Sequence, residues 1–121
     1  MCHYMNTKKD QRKWVREEVV VLVVEYFRTK NLTKADIEES YKRISSLLKR
    51  REKIITQKPV ADIFRNYAGI RMQSGRIRCL DPDTHYSGMC GTKLQKEIVN
   101  EYLRNPSKLI TEAEQVYKKY E

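Results

Sequence analysis

Apolar positions along the chain fall into runs separated by polar and turn-forming residues, and most of the runs keep a helical period. The first is the most apolar. Val19 to Val24 holds five valines and a leucine, a β-branched run that a strand would also favour. Its flanks extend it at helical spacing instead, with Trp14 and Val21 on one row and Leu22 and Tyr26 on the next. Glu17 and Glu18 lie in the first turn, where the helix dipole favours carboxylates. The pattern predicts a helix over 14–29, apolar nearly all round and therefore central and buried.

Thr33 is a good N-cap for a second helix, with Asp36 three residues on. Ile37, Tyr41, Ile44, Leu47 and Leu48 recur on one face, which predicts a helix from 34 to about 51, closed by Lys49-Arg50-Arg51. Residues 52–63 read as a connector broken by Pro59, with a short helical or extended piece at 60–64. Over 68–80, Ile70, Ile77 and Leu80 suit a helix, and Asp81-Pro82 stops it. Ser74 and Gly75 weaken that helix, glycine by about 1 kcal/mol against alanine. A β-hairpin within 70–79, turning at Ser74-Gly75, is the alternative. After a loop with Pro82, Gly88 and Gly91, Thr92 caps a helix over 93–104 carrying Leu94, Ile98, Val99 and Tyr102. Asn105-Pro106 ends it, and Ser107 opens a last helix over 108–120 with Leu109, Ala113, Val116 and Tyr120 as a stripe. The expectation is an all-α fold of about five helices. Residues 1–13 are expected to be a flexible basic arm and 14–121 a single helical domain. Trp14, Leu22, Phe27, Ile44, Leu47, Ile70, Ile77, Leu80 and Leu94 are its expected core.

Charge changes the picture more than length does. The 121 residues carry a formal charge of +9, unevenly distributed. Residues 1–40 hold 8 basic and 7 acidic side chains, residues 41–82 hold 11 and 3, and residues 83–121 hold 6 and 6. The middle third therefore has a net charge of +8 by sequence, and such a field attracts polyanions: nucleic acid, an anionic membrane or an acidic protein. The apolar run at 19–24 is too short to span a bilayer. No signal-peptide pattern follows the basic start, and three cysteines lack a framework spacing, which reads as a reducing cytoplasm.

Residues 65–80 contain no carboxylate and interleave Arg65, Arg71, Arg76, Arg78 and Gln73 with apolar residues. Arginine and glutamine can each make bidentate contacts to base edges, so Arg71, Gln73, Arg76 and Arg78 are candidates for base reading. Lys49, Arg50, Arg51 and Lys53 are candidates for flanking phosphates. Arg65, Asn66 and Tyr67 complete the set. Tyr67 either stacks on a base, braces a phosphate or caps the core. A solvated basic helix is the plainer reading of the whole stretch.

Other chemistry is sparse. Cys79, His85 and Cys90 lie within twelve residues, but without the close ligand pairs of a structural zinc site, so neither metal nor any other cofactor is expected. No phosphate-binding glycine loop or nucleophile motif is present. Glu17 and Glu18 are adjacent and would diverge on a helix, which suits dipole or salt-bridge roles better than acid–base work.

Several of these residues form an ordered string: Trp14, Glu17-Glu18, Tyr26-Phe27, Ile44-Ser45 and Leu47. It continues through Phe64-Arg65-Asn66, Gly69-Ile70, Met72, Leu80-Asp81-Pro82, Gly88-Met89, Gly91, Leu94 and Glu97-Ile98. Over about residues 14–103 the string resembles the N-terminal, non-nuclease domain of bacterial HNH-type, type IV-like restriction endonucleases. It is similar, more loosely, to helix-turn-helix domains in which the third helix, 68–80 here, reads DNA. The resemblance implies a non-catalytic DNA-recognition module with double-stranded DNA as its partner. Ser74-Gly75 departs from the family pattern, and the His-Asn-His nuclease residues are absent, so cleavage does not carry over. A different class remains open: a small phage or mobile-element inhibitor, of anti-restriction or anti-CRISPR type, that binds a defence nuclease or its nucleic acid. A metal-dependent enzyme is a third. The ends of the chain favour a free-standing protein over a fragment.

Overall fold

A computed structural model describes residues 12–84 and 91–121. Five helices account for most of them: α1 (Arg16–Thr29), α2 (Lys34–Thr56), α3 (Tyr67–Leu80), α4 (Lys93–Arg104) and α5 (Pro106–Lys119), with no strand among the described residues. The fold is all-α. Helix α1 packs against each of the other four, while α2 meets α3, α3 meets α4 and α4 meets α5. The chain thus winds its later helices around its first.

This arrangement follows from the burial of α1. Val19 to Val24 are all buried, along with Glu18, Glu25 and Thr29. A helix apolar on every side has no solvent face to offer and must take the centre. Around it lie Ile44, Leu47 and Leu48 of α2, Ile70 and Ile77 of α3, Ile98 and Val99 of α4, and Leu109, Ala113 and Val116 of α5. Trp14, Phe27, Leu80 and Leu94, expected inside, are only partly buried and pack against this cluster from its edge. Phe27 stacks on Tyr102 with ring centroids 4.4 Å apart.

Capping sets most boundaries. The side chains of Thr33, Asn66, Thr92 and Asn105 accept backbone N–H bonds at the starts of α2 to α5. Asn105 also closes α4, and Pro106 opens α5 directly, so α5 starts earlier than Ser107. Helix α2 runs one turn beyond its expected end near 51, to Thr56, where Gln57 turns left-handed (φ 56°) and donates its N–H to the Lys53 carbonyl. Residues 62–65 form a turn rather than a helix or a strand, with the Phe64 N–H on the Ala61 carbonyl.

The hairpin alternative at 70–79 is not what forms. Helix α3 runs unbroken through Ser74 and Gly75. Ile70, Ser74 and Ile77 recur at helical spacing and are all buried, and packing of that row outweighs the weak propensity at its middle. The connector before α3 covers residues 57–66, longer than the three- or four-residue turn of a helix-turn-helix. The end of α3 closes on Gly91: a Cβ there would lie 2.4 Å from Leu80 Cδ1.

Candidate nucleic-acid interface

The residues expected to face nucleic acid divide in the structure into internal supports and a smaller exposed group. Arg65 belongs to the first. It is buried, and its guanidinium donates to Glu18 at 2.8 and 3.1 Å and to the Arg12 and Lys13 carbonyls at 2.8 and 3.3 Å. It lies 4.5 Å from the ring centroids of both Trp14 and Phe64. Its backbone is left-handed (φ 45°), and its carbonyl accepts from Ser45 Oγ at 2.7 Å. A positive φ at a side chain this bulky is strained, and the ring of contacts holds it. Arg65 therefore ties the turn before α3 to the start of α1 and is withdrawn from any outer surface. Asn66 is likewise occupied locally, since its Oδ1 accepts the Gly69 N–H at 2.9 Å and caps α3.

The cationic end of α2 is also engaged internally. Arg51 donates to Glu17 at 2.8 Å, Arg50 to the Tyr120 carbonyl at 3.1 Å, and Lys49 to the Asp62 carbonyl at 2.9 Å. Glu17 further accepts from Lys119 and Tyr120. Burial raises the Glu17 carboxyl, but these hydrogen bonds outweigh it and hold the group below the usual glutamate range. Arg50 and Lys53 remain exposed.

On α3 the four candidate base readers do not share a side. Successive residues turn about 100°, so Arg71 and Arg78 lie close together in rotation while Gln73 and Arg76 point well away. Arg71 and Arg78 line a groove. Gln73 turns toward α4 and accepts from the buried Gln95 Nε2 at 2.8 Å, while Gln95 itself closes the capping box with Thr92. Arg76 is partly buried.

The groove, about 950 Å³, lies between the end of α1, the first half of α2 and the outer side of α3. Tyr26, Lys30, Ile37, Tyr41, Tyr67, Arg71, Met72 and Arg78 line it, with Asp83 and Thr84 at one end. Tyr41 and Tyr67 meet edge to face, centroids 5.7 Å apart and planes at 73°. Tyr67 titrates above the ordinary tyrosine value, chiefly from desolvation and then from Glu38. Asp81 is buried at the foot of the groove and is well compensated. It accepts from Lys30 Nζ at 2.6 Å, from Tyr26 Oη at 2.8 Å and from the Asp83 N–H. Burial pushes Asp81 up, but these bonds bring it below the usual aspartate range.

Linear reading misses Tyr41, Lys30 and Tyr26. Tyr41 fits the apolar row of α2, and only its contact with Tyr67 of α3 turns it into part of a groove. Cys79 is free and partly buried; His85 and Cys90 lie outside the described residues. No group of three or more metal-ligating side chains occurs among the described residues. No helix among them is long and apolar enough to cross a membrane. Comparison of the chain with protein-family models, with curated proteins and with solved structures finds no match.

Proposed function

We propose that this five-helix domain is a non-catalytic module that binds double-stranded DNA through the outer side of α3. The observation that carries the reading is the placing of Arg71 and Arg78 two turns apart on a helix without a carboxylate, beside Tyr67 at a groove. Two guanidinium groups spaced along one helical edge suit successive phosphates or a phosphate and a base edge. The residue string that resembles restriction-enzyme recognition domains suits this reading, whereas Arg50, though exposed, lies about half a rotation round α2 from the groove-lining Tyr41 and stands apart from this edge. Arg65 and Asn66 drop out of the interface as structural supports, and Gln73 and Arg76 lie on another side of α3. Of the eleven basic residues in 41–82, Arg43, Arg51 and Arg65 are paired with carboxylates of α1. The outward field is correspondingly smaller than the sequence charge.

The test is a titration of a labelled duplex at several salt concentrations. Binding should weaken steeply with salt, since each phosphate contact adds about 0.9 to the logarithmic slope. Arg71→Ala and Arg78→Ala should each lower the slope by about one unit, and Arg76→Ala should change it less. If the wild-type chain binds no duplex at about 50 mM salt, where phosphate contacts are strong, the DNA reading fails. A protein partner such as a nuclease then becomes the reading to pursue.

A further inference from the structure

The groove beside α3 has features that a duplex alone does not need. A duplex presents phosphates and groove edges to an outer helical surface. Here two tyrosine rings stand at 73° to each other inside a concavity. A flat base laid on one ring presents its edge to the other. Arg71 and Arg78 are at the same groove, with Lys30 held at its foot by Asp81 and Asp83. Cations beside aromatic faces are the combination by which proteins hold unpaired strands, the bases stacking on rings and the backbone following the positive charge. The volume, about 950 Å³, is at the upper end of the roughly 300–1,000 Å³ typical of small-ligand clefts and accommodates more than one unpaired nucleotide.

We infer that this groove holds unpaired DNA, so that the preferred target of the domain is a junction between duplex and single strand. The inference rests on the DNA-binding reading and deepens it: the duplex lies along the exposed edge of α3 and the unpaired strand enters between α3 and α2. Stacking has no need of a hydroxyl, so Tyr67→Phe retains the preference and Tyr67→Ala loses it.

The experiment compares a blunt duplex, the same duplex with a single-stranded dT overhang, and the dT strand alone, by fluorescence anisotropy at fixed salt. The overhang should bind roughly tenfold more tightly than the blunt duplex, the equivalent of one stacked base. Tyr41→Ala should remove that preference while leaving blunt-duplex affinity in place, and Tyr67→Ala should lower overhang affinity more than blunt-duplex affinity. Arg71→Ala, which leaves the ring pair intact, should weaken all three probes. Melting curves identify any variant that fails to fold, and Tyr67→Phe keeps the ring for comparison. Equal affinity for blunt and overhanging duplex, or equal loss on both with Tyr41→Ala, overturns this inference and leaves the duplex reading standing. Absence of binding to every probe overturns both.

Discussion

The buried pair between Arg65 and Glu18 allows a quantitative test of how the domain is held together. Its side chains are 6% and 2% exposed, so solvent screening is slight. Arg65→Ala leaves the Glu18 carboxylate buried beside Trp14 without its guanidinium and removes the bonds to the Arg12 and Lys13 carbonyls. Removing one partner of a buried pair typically costs about 3–5 kcal/mol, mostly through the charge left behind. With a shift of roughly 4 °C per kcal/mol for a domain of this size, melting should fall by about 12–20 °C. The double variant Glu18→Gln, Arg65→Met should be more stable than Arg65→Ala, because no charge stays uncompensated. The cycle formed with Glu18→Gln and Arg65→Met should give a coupling of about 1 kcal/mol or more. Urea unfolding of the four proteins measures it. A cost below about 1 kcal/mol for Arg65→Ala, as at an exposed pair, or strict additivity in the cycle, would refute the argument. Measured well below its melting point, the same Arg65→Ala protein should bind duplex DNA as the wild type does, which distinguishes a support from a contact.

Acid should unfold the domain through its paired carboxylates. Burial raises the Glu25 carboxyl, but hydrogen bonds from Arg28, Ser40 and Arg43 hold it below its ordinary value, and Asp81 and Glu17 are likewise lowered. The folded state thus binds fewer protons than the unfolded chain, so this stability is present above the ordinary carboxylate range and is lost as pH falls through the lower folded values. Urea midpoints at neutral pH and through the acid range should show the loss, and Glu25→Gln should make it shallower. At the end of α3, Gly91→Ala would set a methyl 2.4 Å from Leu80 Cδ1 and 2.7 Å from its Cγ. Overpacking of this kind costs about 1–3 kcal/mol, and Leu80→Val in the same chain should recover part of it; an unchanged melting temperature for Gly91→Ala would show that Leu80 swings away freely.

The helices were legible because their signals are local. Apolar rows and the caps Thr33 and Thr92 act within a turn or two, and the all-round burial of α1 follows from its composition. Asn66 is also a local signal, yet its place beside Arg65 and Tyr67 draws it into the binding set. The end of α2 was harder to read, since the charged residues after Leu48 resemble a finished helix, and the left-handed turn at Gln57 carries no strong mark. The site was legible only in part. Arg65 reads as one more cation in a basic stretch until Glu18, 47 residues earlier, folds against it. Nor does alternation along 71–78 tell which arginines share a side, because that depends on whether the segment is helix or hairpin.

The six residues Val19–Val24 are shielded on every side once α1 is in place. In the unfolded chain the same stretch is β-branched, uncharged and free of proline, the composition that self-associates as stacked strands. Glu17, Glu18 and Glu25 flank it as charged gatekeepers, but in the folded domain each of them is engaged in ion pairs or hydrogen bonds. A lesion that opens the centre therefore releases a segment prone to aggregate. Refolding yield should fall as protein concentration rises, and core variants should be lost to precipitation before they are seen as soluble, weakened binders.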